Sequence, residues 1–290
     1  METGNSIIKE PGVEEYFDLS FSEESAHFYI LIIELHDACV RACWYHKSKN
    51  LVTGFAEYTL NNGLSQESFS KLFEARPFLA SEFDQCICVS NCHNYTLIPS
   101  SIQDSQVEEL FKLGNPFKQG QKLKSQKLLN LKAHVYFQPS ELEESVVDKC
   151  IPNVTYVSKV GSRIEHAMNQ KQDGIAKNAV YVHIDTSRIH INAVNRGKLV
   201  LCNNYYHASG EDIAYYVLYA AEVLQMDPEK DTLVLSGDIS IGDEVWKLLS
   251  NYWLNVKLDD GLKGITISNK INERPKGKFD YLTQHLLCAS

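Results

Sequence analysis

Two hydrophobic periods alternate along this chain, and the switches between them outline its elements. HFYILIIEL (27–35) and ACVRACWYH (38–46) are dense in Ile, Val, Tyr and Trp and are separated by His36-Asp37, which predicts two strands. The polar turn Lys47-Ser48-Lys49-Asn50 leads to a third, LVTGFAEYTL (51–60). The period then lengthens: Leu64, Phe69, Leu72 and Phe73 fall near helical spacing behind Ser65, a residue suited to an N-cap. QCICVSN (85–91) returns to a strand pattern.

The same order recurs later. AVYVHID (179–185), RIHINAV (188–194) and KLVLCNNYY (198–206) predict three strands, with Asn195-Arg196-Gly197 as the second turn. ASGEDIAYYVLYAAEVLQM predicts a helix whose Ser209 and Asp212 form a capping box, and whose Ile213, Tyr216, Val217, Ala220 and Leu224 share a face. TLVLSG (232–237) and a helix around IGDEVWKLLSNYW follow. Strand–strand–strand–helix–strand therefore occurs twice, and element order sets Glu34 against Asp185. The intervening AHVYFQPSELEESVVDKCIPNVTYVSKVGSRIEHAMNQ predicts strand, helix, strand, helix as a unit with a parallel sheet. QKQDGIAK (170–177), polar and containing Gly174, is the linker candidate. The expected plan is a loose polar leader (1–24), a first α/β domain (25–173) and a second (174–290) ending in a helical tail.

Length and composition narrow the function classes. At 290 residues the chain can build two cores, and 44% hydrophobic with 22% charged residues is ordinary for a globular protein. A net charge of -9 disfavours general nucleic-acid binding, since phosphate affinity comes largely from clustered Lys and Arg. Lys118, Lys122, Lys124 and Lys127 are a local exception that reads as a solvated loop. The N-terminus lacks the pattern of a secretory signal, and the longest apolar run, FYILIIEL, is far short of a membrane span. Eight cysteines without a compact framework fit reduced thiols in a cytoplasm.

Taken together, a three-stranded meander feeding helices and further strands, duplicated across a linker, resembles the plan of the actin-like ATPase superfamily. VYFQPSELEESV and NVTYVSKVGSRIEHAM are similar to the first-domain segment that precedes the crossover in the seventy-kilodalton chaperones. A closer similarity is to an uncharacterised bacterial "domain of unknown function" with an actin-like ATPase, ribonuclease-H-like fold. The block LVLCNNYYHASGEDIAYYVLYAAEVLQMDPEKDTLVLSGDIS carries it, with Asn203-Asn204-Tyr205, Asp227-Pro228 and Ser236-Gly237, joined by the tail KFDYLTQHLLC. The resemblance implies α/β halves of duplicated design around a central cleft, and no established activity.

In active members of that superfamily, an Asp-x-Gly turn in each domain holds phosphate, because glycine lets backbone N–H groups approach the oxygens. Here the first turn reads Glu34-Leu35-His36-Asp37, with Glu for Asp and His at the glycine position. The second reads Asp185-Thr186-Ser187-Arg188, with Ser at the glycine position and His190 where a hydroxyl is usual. The adenosine-side segment, Ser236-Gly237-Asp238, keeps one glycine of two. The resemblance thus implies a vestigial nucleotide cleft comprising Glu34, His36, Asp185, Ser187, Arg188 and Gly237, with no catalytic residue, metal or cofactor. Arg188 offers itself as a substitute anion ligand.

Other candidates are weaker. Cys86, Cys88, Cys92 and His93 are zinc-type ligands, but two strand cysteines on one face without a second pair read better as core. Tyr205, Tyr206, Tyr215, Tyr216 and Tyr219 exceed what one buried face requires, which leaves packing and a partner surface both open. The expected function is an inactive actin-like scaffold with a protein partner, a homodimer being left open. The alternatives are an ATPase or phosphotransferase with altered loops, and a polymerising cytoskeletal protein.

Overall fold

The computed structural model describes residues 5–18, 21–151, 153–170 and 178–288. These divide into two compact units, one of residues 1–161, 264–274 and 285–290, the other of 162–263 and 275–284. The linker expected at 170–177, with the domain boundary near Gly174, falls almost wholly outside the described residues. The compact units part instead at Gly161.

In chain order the first unit contains β1 (Asn5–Glu10), β2 (Val13–Asp18), β3 (Tyr29–Leu35), β4 (Cys39–His46) and β5 (Leu51–Thr59). Helix α1 (Gln66–Ala75), β6 (Gln85–Ser90), β7 (Tyr95–Pro99), α2 (Asp104–Gly114), β8 (Lys124–Leu128) and β9 (Ala133–Phe137) follow. Helix α3 (Glu141–Cys150) and β10 (Val154–Ser158) complete the run, and α4 (Lys159–Gln170) begins at its end but belongs from Ser162 onward to the second unit. The main sheet has the order β1-β2-β5-β4-β3-β6-β10. Its β3–β4–β5 part is the antiparallel meander that the sequence predicts, while β6 and β10 add in parallel. Alternate residues Tyr29, Leu31, Ile33 and Leu35 face a core shared with Phe69, Leu72, Val146 and Val147 of α1 and α3. Ser65 caps α1 as its sequence suggests.

Two expectations for this half need correction. Residues 5–18, expected to be loose leader, form a hairpin that extends the main sheet through β2–β5. Its acidic residues hid the pattern: buried Glu15 accepts from Tyr58 Oη at 2.8 Å and Arg76 Nε at 2.7 Å, so it is tolerated inside. Phe17 packs edge-on to Trp44 at 4.7 Å over Gly54, where a Cβ would lie 2.6 Å from the Phe17 ring. The second correction is that 133–137 does not join the parallel sheet. It is the middle strand of a separate antiparallel sheet, β7-β9-β8.

The second unit holds β11 (Ala179–Ile184), β12 (Arg188–Asn195), β13 (Lys198–Tyr206), α5 (Gly210–Val223), β14 (Thr232–Gly237), α6 (Glu244–Ser250) and β15 (Asn255–Leu258). The short strand β16 (Thr266–Ile267) returns to pair with β5 of the first unit, and α7 (Lys276–Phe279) precedes a 3-10 segment at Asp280–Cys288. The sheet order is β13-β12-β11-β14-β15, a meander with two parallel strands beyond it. Arg196 and Gly197 both have positive φ, which fits the right-handed twist of a tight β12–β13 hairpin. Val180, Val182, Ile184, Ile189, Ile191 and Ala193 pack on one face against α5 and α6. On the other face Tyr181, His183, His190 and Asn192 are polar, although they too are buried. Among the described residues no helix is long and apolar enough to cross a membrane.

Candidate functional site

On the polar face of the second unit, β11 contributes Tyr181 and His183, and Asp185 follows directly at its end. His190 and Asn192 lie on β12, and Ser236 on β14. His183 Nδ1 lies 2.9 Å from Ser236 Oγ, and its Nε2 lies 3.2 Å from Asp185 Oδ1. His190 Nε2 is 3.9 Å from Asp185 Oδ2, while His207 Nε2 donates to the Asp185 carbonyl at 2.8 Å. Beside them, His166 of α4 meets Asp259 Oδ2 at 3.0 Å, and Asp259 also accepts from Gly261 N at 2.8 Å. Burial works against both charges of this pair, but their mutual attraction wins. His166 is raised above its ordinary 6.5 and Asp259 is held below its ordinary 3.8.

Ser236, His183 and Asp185 thus have the order of a nucleophile, base and orienting acid. Space decides against that chemistry. Ser236 is buried, and the cavity it borders measures about 20 Å³. That is room for about one water molecule, not for an ester or amide substrate.

The matching face of the first unit centres on Glu34, which is fully buried. Its Oε2 lies 3.3 Å from His285 Nε2, and its Oε1 lies 3.7 Å from His36 Nε2 and 4.0 Å from Lys159 Nζ. Lys159, at the start of α4 and equally buried, donates to Asn91 Oδ1 at 2.8 Å. Asn91 Nδ2 continues to Asp37 Oδ1 at 2.6 Å, and Asn91 N to Glu143 Oε1 at 2.7 Å. A carboxylate without water has to be neutralised, and here the protein's own cation and imidazoles surround it.

The strand registers correct the internal alignment of the two turns. His36 N donates to Cys39 O at 2.9 Å, and Asp185 N donates to Arg188 O at 2.8 Å. Leu35 and Ile184, one residue earlier, both belong to apolar cores. His36 therefore matches Asp185, Glu34 matches His183, and Ala38, not His36, matches Ser187. A shift of two residues keeps every side chain on its face, so alternation could not expose the slip. Among the described residues, positive φ outside glycine occurs only at Asn50, Lys132, Asn153, Arg196 and Gln225, so neither turn uses left-handed backbone. What glycine would have supplied in these turns is a missing Cβ.

The remaining candidates have local explanations. Gly237 has φ +89°, and a Cβ there would lie 2.1 Å from the Ile184 carbonyl oxygen, so parallel strand packing requires it. Asp238 is exposed and donates its backbone N–H to Ile184 O at 2.7 Å. The Arg188 guanidinium stacks on Tyr206 at 3.6 Å, bonds its hydroxyl and donates to Asn204 Oδ1 at 2.7 Å. Cys86 and Cys88 lie in the core, where burial raises the Cys86 thiol to about 12 and pushes Cys88 up as well. The tyrosines divide: Tyr205 and Tyr216 stack at 4.5 Å and are half-buried, whereas Tyr206, Tyr215 and Tyr219 are more than half exposed. Sequence reading missed Lys159, His285, His166 and Asp259. Ser158-Lys159, polar residues at a strand-to-helix junction, were the available signal.

These geometries define a protein of the actin-like ATPase fold. A structure from Bacteroides thetaiotaomicron VPI-5482, described as a protein with actin-like ATPase fold and unknown function, is 20% identical with a TM-score of 0.70. The match covers 87% of this chain and 95% of that one. The "PilM-PilN type IV pilus biogenesis complex" matches with a TM-score of 0.64 at 10% identity, covering 90% of this chain and 97% of that one. The chain itself belongs to the family described as "Protein of unknown function (DUF3822)", which matches residues 18–256. No curated protein sequence matches it.

Proposed function

We propose that this protein is an actin-like scaffold that works through protein contacts and neither binds nor hydrolyses ATP. The observation that carries this reading is the occupation of its turn carboxylates. Glu34 is ringed by Lys159, His36 and His285, and Asp185 by His183 and His190. The position in the first turn that corresponds to Asp185 is an imidazole. A carboxylate already engaged with internal partners has less capacity to organise a hydrated divalent cation. Support for protein contacts comes from exposed Tyr206, Tyr215 and Tyr219, because exposed tyrosine is common in interfaces. The fold shared with a protein found in a PilM–PilN complex agrees with such a role.

Thermal unfolding with and without several millimolar Mg–ATP tests the reading. A ligand at a hundred times its dissociation constant stabilises by about 2.7 kcal/mol, which a melting curve resolves. Superimposable curves are expected. A rise in Tm that disappears in Asp185→Ala would establish nucleotide binding at the second turn and remove the scaffold proposal.

A further inference from the structure

The polar face of the second unit borders the small cavity next to Ser236, and two residues that line it, Gln284 and His166, each carry an unusual atom. Nε2 of Gln284 and Nδ1 of His166 have no hydrogen-bond partner in the protein, although both residues are only 2% exposed. A buried polar nitrogen without a hydrogen-bond partner is costly, so each calls for one. The remaining lining settles which kind of group fits. Arg163 lies on the wall and opposes a metal cation, and among the described residues no three His, Cys, Asp or Glu side chains converge as ligands. Asp259 lies on the same wall and opposes an anion. With charges of both signs on the wall, a neutral occupant able both to accept and to donate suits the lining. A volume of about 20 Å³ limits it to a single non-hydrogen atom.

We propose that this cavity is a binding site for one water molecule, which accepts from Gln284 Nε2 and joins the C-terminal 3-10 segment to His166 on α4. Water suits either state of His166. It accepts from Nδ1–H of the imidazolium and donates to Nδ1 of the neutral ring. Asn192 and Ser236, also on the wall, are ready acceptors for the hydrogens that remain. The histidines of this face and the His166–Asp259 pair then form one network. This inference is independent of whether the turns bind nucleotide.

A high-resolution crystal structure of the full chain, with a parallel bromide soak, tests the site. One oxygen-sized peak within hydrogen-bonding distance of Gln284 Nε2 and His166 Nδ1, without anomalous signal, is expected. An anomalous bromide peak, a metal ion, or a collapsed cavity with Gln284 bonded to protein would each overturn it. In solution, the Gln284 side-chain amide should show a cross-peak to a long-resident water, and its absence counts against the site. Gln284→Met, similar in length but lacking the donor, should remain folded by circular dichroism and lose the water. An unchanged water peak in that variant would overturn the bridging role.

Discussion

The two sheets carry an acid–imidazole pair at the same two positions but in opposite order: Glu34-Leu35-His36 in the first unit and His183-Ile184-Asp185 in the second. The pairs are 3.7 Å and 3.2 Å apart. What differs is depth. Glu34 lies within β3 and has no exposed surface, whereas Asp185 follows the last residue of β11 and keeps 7%. The deeper carboxylate has a permanent cation, Lys159, 4.0 Å away, while the shallower one is faced by imidazoles. Depth sets the strength of the counter-charge required, because desolvation grows as water is excluded.

Removing that cation should break the comparison most severely. Lys159→Met removes the ammonium that faces buried Glu34, and a cost of about 3–5 kcal/mol is expected from chemical denaturation. Adding Glu34→Gln should recover part of it, since the uncompensated charge is then gone. A loss below about 1 kcal/mol would mean that Lys159 does not neutralise Glu34. Next in size is Gly237→Ala. The positive φ and the 2.1 Å approach to Ile184 O predict a loss of about 2–3 kcal/mol. An unaffected stability would show that β11 and β14 can separate without penalty, and that Gly237 is kept for another reason.

Much of this was legible beforehand, for identifiable reasons. The meanders announce themselves as dense apolar runs broken by polar turns, α1 and α5 by apolar residues at helical spacing, and the caps at Ser65 and Ser209 are local sequence features. The hairpin at 5–18 was not legible, since Glu15 sits inside and its partner Arg76 is sixty-one residues away. The site was half legible. Glu34 and Asp185 stand out as carboxylates at the C-terminal ends of apolar runs, one just inside its strand and one just beyond, but partners come from other segments: Lys159 and His285 for the first, His190 from the next strand for the second. The misplacement of Glu34 opposite Asp185 has the same origin. Alternation specifies a face, and only the hydrogen bonds of the turns fix the register.

A smaller effect separates the two units by pH. His166 is raised above its ordinary value, so its contribution is fully present below about 6.5 and fades as pH rises through the raised value. Asp259 is lowered, so its contribution is present above about 3.8 and is lost as pH falls through the lowered value. The pair should therefore stabilise most between about pH 4 and 6.5, with each unit of displacement worth about 1.4 kcal/mol. The stability difference between the native chain and Asp259→Asn should peak in that window and shrink toward alkaline pH. A difference independent of pH would show that the pair acts through hydrogen bonding without charge.

The smallest expected effect decides what Arg188 is for. Its guanidinium lies over Tyr206 and donates to Asn204, so its binding capacity is partly spent along β12 and β13. A half-exposed contact of this kind contributes about 0.5–1 kcal/mol, and Arg188→Ala should lower Tm accordingly. Arg188→Lys should not restore it, because an ammonium lacks the planar face that stacks and the fork that bonds two partners. Neither variant should change the response to Mg–ATP if the guanidinium is a strut between strands. The opposite pattern is equally readable: a Tm rise with Mg–ATP in the native chain, abolished by Arg188→Ala but retained in Asp185→Ala. That result would make Arg188 an anion ligand in its own right, and the second unit would then differ from the first by a working phosphate contact as well as by the depth of its carboxylate.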